Sequence, residues 1–221
     1  DYDAVLQNDD IDAVVIALPA VQHHKTAKLA LESGKHVFVE KPMTTSVDEA
    51  EELVAIAERN HRTLMVGHLL VHPRAVDTLK RLIKDGELGE TYYLYSQRVN
   101  LGIVRKDENA LWSLAPHDIA VMLHLLDQEP DAVSARGECY LQEDIEDVVF
   151  VNLHFKDGKM GQLQVSWLDP HKIRRLTIVG SEKMAVFDDM ESSEKIRIYD
   201  KAAERASYES YGEAITLRFG D

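Results

Sequence analysis

Val37-Phe38-Val39-Glu40-Lys41-Pro42 is the stretch on which the reading of the chain turns. Three apolar residues, two of them β-branched, favour a strand. Pro42 has no backbone donor and a fixed φ, so the strand must stop there, and it keeps the preceding Lys41 out of the helical region. Lysines mostly lie on the surface as solvated charges. A lysine held extended at the end of a buried strand is poorly explained that way. In an open α/β sheet, ligands bind at the carboxyl ends of the strands. Lys41 is therefore a candidate for chemistry.

Upstream, Ile11 to Leu18 (IDAVVIAL) is a near-continuous apolar run, the pattern of a strand covered on both faces, and Pro19 ends it. Gln22 to Ser33 has helical spacing with Ala27, Ala30 and Leu31 on one side, and Gly34 suits the C′ position. Downstream, Ser46-Val47-Asp48-Glu49 reads as a capping box. The helix it opens is expected to reach about Asn60 and to bury Val47, Ala50, Leu53, Val54 and Ala57. Thr63 to Gly67 reads as a strand and Pro73 to Lys84 as a helix. Strands alternating with helices in this rhythm predict βαβ units and a parallel sheet. After Gly86 and Gly89 the pattern changes. Glu90–Asn100 reads as a strand and Trp112–Leu126 as a helix. Strands follow at 132–141, 147–155, 160–167, 174–179, 183–187 and 195–199, spaced as antiparallel hairpins. The fold class is thus α/β plus α+β, with a split near residues 68–73: residues 1–70 form part of a parallel α/β domain and 71–221 a mostly antiparallel domain.

The chain has 221 residues, 45% of them hydrophobic, which is enough for a normal core. No apolar run approaches the ~18 residues of a membrane-spanning helix, and no signal segment opens the chain. The net charge of −14 argues against general nucleic-acid or anionic-membrane binding. One cysteine, Cys139, cannot pair internally, and a reducing cytoplasm is the simplest compartment. Asp1 in place of methionine, a helix end at the start and an abrupt close after Thr216-Leu217-Arg218-Phe219 suggest that both ends are cut from a longer protein.

Three loops carry candidate chemistry. Leu18-Pro19 with His23 follows the first strand and Glu40-Lys41-Pro42 the second, so both face one crevice. The plainer reading of His23 and His24 is two exposed polar residues. In Trp112-Ser113-Leu114-Ala115-Pro116-His117-Asp118, Pro116 suits the first turn of a helix, which would put His117 at its positive end and keep the ring neutral. The plainer reading is a structural histidine. His68 and His72 have a metal-ligand spacing, but Pro73 spoils the helix and no third ligand has a clear spacing. There is no G-x-S-x-G elbow, Cys139 falls in an expected strand without activating neighbours, and no G-x-G-x-x-G or Walker loop occurs.

Taken together, Glu40-Lys41-Pro42, the Pro19–His23 loop and Ser113-x-x-x-His117-Asp118 resemble the Gfo/Idh/MocA family of nicotinamide-dependent sugar oxidoreductases, and the likeness runs through essentially the whole chain. The resemblance implies the second half of a Rossmann domain followed by an open-sheet domain that pairs with another subunit, hence a homo-oligomer. It implies NAD or NADP as cofactor, NAD being favoured, with Leu18, Pro19, His23, Glu40, Lys41 and Pro42 along it. It assigns proton transfer and hydroxyl positioning to Lys41 and His117. The family's aspartate falls on Ser113, a departure that removes a carboxylate from beside His117. Asn100-Leu101-Gly102, Arg105, Asp107-Glu108-Asn109 and Leu111-Trp112-Ser113 are similar to the subgroup oxidising C3 of UDP-N-acetyl-hexosaminuronic acids. Substrate contacts would come from Arg98, Arg105, Asn109, Trp112, Ser113 and His117, with Lys106 a further cation. Guanidinium forks match phosphate and carboxylate. The plainer reading of each cation is an exposed surface charge. The competing functions are a sugar-binding or sheet-forming homologue without redox activity, and a metal-dependent hydrolase using His68 and His72.

Overall fold

The computed structural model describes residues 1–102, 104–106 and 108–201; Asp107 and the Thr216–Phe219 segment lie outside the described residues. After a short helix α1 (Tyr2–Leu6) come β1 (Ala13–Ile16), α2 (His23–Glu32), β2 (His36–Val39), α3 (Val47–Arg59) and β3 (Leu64–Val66). The three strands form a parallel sheet in the order β1-β2-β3. Gly34 ends α2 with φ +76°, the left-handed C′ conformation that glycine adopts without penalty.

Strand alternation sends Val14, Ile16, Val37 and Val39 to one face, where they pack on Ala27, Ala30 and Leu31 of α2 and on Leu53, Ile56 and Ala57 of α3. The other face differs from the sequence expectation. Val15, Phe38 and Met65 are in register across the sheet, and Val15 is 74% exposed. Both helices use the same face, so among the described residues no helix covers this row. The run at Ile11–Leu18 is therefore buried on one side only.

Helix α3 also departs in detail. Leu53, Ile56 and Ala57 are buried, but Val47 and Val54 are exposed, because they lie one stripe round the helix from the face that meets the sheet. Ser46 is the N-cap but makes no side-chain capping bond. The Glu49 carboxylate instead lies 3.7 Å from His24 Nδ1.

The rest of the chain gives α4 (Arg74–Lys84), β4 (Thr91–Val99), α5 (Ala110–Leu126), β5 (Ala132–Glu138), β6 (Val148–His154), β7 (Met160–Ser166), β8 (Ile173–Gly180), β9 (Met184–Asp188) and β10 (Ile196–Tyr199). These strands form a seven-stranded sheet in the order β10-β9-β8-β4-β7-β6-β5. All neighbours are antiparallel except β4 and β7. β4 enters between β7 and β8, so the expected simple run of hairpins is interrupted at the centre. Leu94, Leu163, Val165, Leu176 and Ile178 point inward against Leu79 of α4 and Met122 and Leu125 of α5. A fully buried leucine of this kind contributes about 2 kcal/mol of transfer free energy. Cys139 lies just past the end of β5 and is exposed. Among the described residues no helix is long and apolar enough to cross a membrane.

Candidate active site

Three parallel strands end side by side and release three loops: Ala17-Leu18-Pro19 after β1, Glu40-Lys41-Pro42 after β2 and Gly67-His68 after β3. The first two are tied together by His23. This ring is 1% exposed; its Nδ1 lies 2.8 Å from Pro42 O and its Nε2 2.7 Å from Leu18 O. His23 is a clamp between two strand ends. It is neither the exposed polar residue of the plain reading nor a side chain with a nitrogen left for a cofactor. The loops are packed tightly. A Cβ on Gly67 would stand 3.3 Å from Glu40 Oε2 and 3.2 Å from the Phe38 ring, so glycine lets the Glu40 carboxylate lie against the β3 end.

Lys41 reaches from the parallel sheet to α5. Its Nζ donates to the carbonyl of Ser113 at 2.8 Å. Pro116 lies inside α5, seven residues from its start, and not in its first turn. Proline cannot donate back to Trp112 O, and its ring crowds that carbonyl. Trp112 O thereby lacks its usual i+4 donor, one residue before the carbonyl on which Lys41 docks. Ser113 thus joins the site through its backbone. Burial lowers the Lys41 pKa below 10.5, opposed in part by the Glu108 and Glu40 carboxylates and assisted by Arg105 and Arg98.

His117, one turn further along α5, is far from the positive helix end that the sequence reading assigned to it. Its neutrality has another cause: burial first, then the fields of Lys41 and Arg98, push its pKa down to about 4. Its Nδ1 is buried without a hydrogen-bond partner. His68 at the β3 end shares this environment. Its Nδ1 is also buried and unpartnered, and burial and Lys41 lower its pKa. Two neutral imidazoles therefore border one amine. His72 contributes nothing here, and among the described residues no group of three His, Cys, Asp or Glu could hold a metal ion.

Arg98 is a correction. Its side chain is 9% exposed and is forked onto Asp118: Nε pairs with Oδ2, and Nη2 lies 3.4 Å from Oδ1. That guanidinium is committed to the helix–sheet junction and is not offered to a substrate. Asn109 is likewise committed, because it caps α5 by accepting from Trp112 N at 3.0 Å and donates to Glu146 Oε2 at 2.7 Å. Arg105 pairs with Glu108 at 3.0 Å. Both line a cleft of about 230 Å³ together with Leu18, Pro19, Glu40, Lys41 and Pro42. Trp112, 38% exposed, borders a separate apolar groove of about 370 Å³ with Pro42, His68 and Pro116.

The cleft suits the nicotinamide-ribose end of a dinucleotide: it is small, sits at the carboxyl edge of a parallel sheet, and carries a carboxylate and prolines beside an amine. A glycine-rich cradle for the diphosphate is not in the sequence. The sequence reading weighed His68 only as a metal ligand and quoted Asp118 only as part of a motif, without a role in the site for either. His68 was within reach of the strand-end rule that found Lys41. Asp118 had no local signal, because its partner lies twenty residues away on a strand.

Comparison with known proteins identifies the family and the fold. Residues 1–68 match the description "Oxidoreductase family, NAD-binding Rossmann fold", and residues 76–186 match the GFO/IDH/MocA C-terminal domain. UDP-N-acetylglucosamine 3-dehydrogenase of Acidithiobacillus ferrooxidans is 28% identical over 196 residues, covering 88% of this chain and 60% of that protein. Its solved structure superposes with a TM-score of 0.79 at 27% identity, over 94% of this chain and 67% of that one. A 2,7-anhydro-N-acetylneuraminate hydratase of Mediterraneibacter gnavus is 27% identical over 180 residues, 74% of this chain and 48% of that protein. The structure of GenD2 from gentamicin A biosynthesis, in complex with NAD, gives a TM-score of 0.79 at 27% identity, over 84% of this chain and 57% of that one. The chain spans about half the length of the curated relatives it matches.

Proposed function

The chain belongs to the Gfo/Idh/MocA oxidoreductase family, and from that premise we propose that it is the catalytic part of an NAD(P)-dependent sugar dehydrogenase. The reaction is hydride transfer between a nicotinamide and a sugar hydroxyl, with C3 of a UDP-N-acetyl-hexosaminuronic acid as the substrate position. NAD is the favoured cofactor. Residues 1–70 serve the dinucleotide and 71–221 the substrate and subunit contacts, in a cytoplasmic homo-oligomer.

One observation carries the reading: Lys41 Nζ is anchored on Ser113 O, which puts a desolvated amine beside a neutral imidazole at the carboxyl edge of a parallel sheet. A bound nicotinamide would supply the two-electron chemistry by taking hydride from the carbinol carbon. Leu18, Pro19, Glu40 and Pro42 would hold its ribose end. The chain's own task is the hydroxyl proton. Two groups compete for it, and the magnitudes decide between them. With a pKa of about 4, His117 is protonated in about one molecule in a thousand at pH 7. It is therefore a poor proton store and a good neutral hydrogen-bonding partner for the hydroxyl. Lys41 is the stronger base, and its lowered pKa raises the share of free amine near neutral pH. Ser113 O orients the amine, and His117 fixes the hydroxyl for it.

The test uses the full-length protein with NAD, and separately with NADP, plus UDP-N-acetylglucosamine or its uronic acid, following absorbance of the reduced cofactor. The reading predicts reduction that depends on the sugar nucleotide. No reduction with either sugar and either cofactor contradicts it.

A further inference from the structure

Arg98 and Arg174 stand directly opposite each other on β4 and β8, on the sheet face that α5 covers. Like charges placed opposite across a sheet repel. Asp118 offsets one of them by pairing with Arg98. Arg174 receives no carboxylate among the described residues. Its Nη1 donates to Val99 O at 3.0 Å and Ile173 O at 2.9 Å, and its Nη2 donates to Asn100 Oδ1 at 2.6 Å. A guanidinium has five N–H groups in a planar fork. Three are thus used to hold the group still, and two remain, the Nε–H and one Nη2–H, without an acceptor among the described residues. The side chain is only half-buried, and its field reaches His117 and Asp118. Burial and the neighbouring Arg98 act against its charge and outweigh the more distant fields of Asp118 and Asp189, so an incoming anion would relieve an existing cost.

We propose that Arg174 is the oxyanion seat of the substrate site, a pre-aimed fork that takes the carboxylate of the sugar ring whose hydroxyl His117 and Lys41 handle. This rests on the nucleotide-sugar reading above and goes beyond it by naming the specificity-determining residue. Arg98, one of the cations that the sequence offered for this task, is occupied by Asp118, whereas its cross-strand neighbour is held by backbone carbonyls and an amide and forms no ion pair among the described residues. A carboxylate is planar and bidentate and matches two N–H groups on one guanidinium edge. The diphosphate of a sugar nucleotide has the same oxyanion chemistry, so the test separates the two sources.

The experiment compares the full-length wild type with Arg174→Met and Arg174→Lys. It measures kcat/KM for UDP-N-acetylglucosaminuronic acid and for UDP-N-acetylglucosamine, and the binding of both and of free UDP by calorimetry. Thermal melts check that each variant is folded. The ratio of kcat/KM for the acid over the neutral sugar should fall on the order of tenfold to a hundredfold in Arg174→Met, with binding of the acid weakened in step. Arg174→Lys should recover only part of the ratio, because an ammonium lacks the fork. A parallel loss on both sugars with weaker UDP binding keeps the oxyanion seat but assigns it to the diphosphate. An unchanged ratio with unchanged UDP affinity overturns the proposal. Absence of turnover in the wild type contradicts the dehydrogenase reading instead, and the calorimetric comparison then decides the role of Arg174 by itself.

Discussion

Lys41 and Arg98 are two basic side chains drawn into the same junction between the two sheets, and they are handled in opposite ways. Arg98 is given Asp118, a carboxylate buried on the neighbouring helix. Lys41 is hydrogen-bonded to a backbone carbonyl and forms no ion pair among the described residues; Glu40 and Glu108 line the same cleft and act on it only at longer range. A buried ion pair is costly to break but chemically inert. A partly desolvated amine without an ion-pair partner keeps a lowered pKa and remains available as a base. The first arrangement builds the wall, and the second builds the site.

The largest expected effect breaks the second arrangement. In the full-length protein, Lys41→Met should lower kcat by about 10³- to 10⁴-fold with little change in sugar-nucleotide KM, read from steady-state kinetics. The same variant should be no less stable in urea, since it replaces a partly desolvated amine by a thioether. Asp118→Ala should do the reverse. It strands the Arg98 guanidinium in the interior and should cost about 3–5 kcal/mol of stability by urea denaturation. If Asp118→Ala were as stable as wild type, the contrast between wall and site would be lost.

His117→Asn comes next, with kcat about a hundredfold lower and the pH at which Lys41 acts shifted by less than the loss itself. The smallest effect is on stability against pH. His117 titrates at about 4 in the fold against 6.5 for a free imidazole. Between those values the unfolded chain binds more protons than the folded one, so stability rises with pH through the window. It is fully present above about 6.5 and falls as the solution is acidified toward 4. Allowing for the ring's partial exposure, the change is on the order of 1 kcal/mol. Thermal melts across that range should show it in wild type and lose it in His117→Asn.

How much of this was legible in the sequence follows from the range of each interaction. The strand ends were readable to within a few residues because proline and glycine act locally: β1 and β2 end three residues before Pro19 and Pro42, and Gly34 ends a helix. Lys41 could be singled out because it follows such a strand end, and His117 because of the residue types around it on α5. Longer-range partners were not. Arg98 looked like a phosphate ligand until the strand register and the pitch of α5 brought Asp118 onto it. His23 looked exposed until two strand-end carbonyls closed on its ring. Pro116 suggested a helix start because proline favours first turns, yet Asn109 caps the helix seven residues earlier. Val15 carries the same apolar signal as Val14, and only the placement of α2 and α3 decides which of them is covered.

The central claim is that Lys41 is a base because it is partly buried without an ion-pair partner. Side-chain NMR of ¹³C-labelled lysines, titrated from pH 6 to 12 in wild type and in Lys41→Met, measures this directly. The account predicts one lysine resonance that titrates clearly below the group near 10.5 and is missing from the Lys41→Met spectrum. If every lysine, Lys41 included, titrates together near 10.5, the account is contradicted.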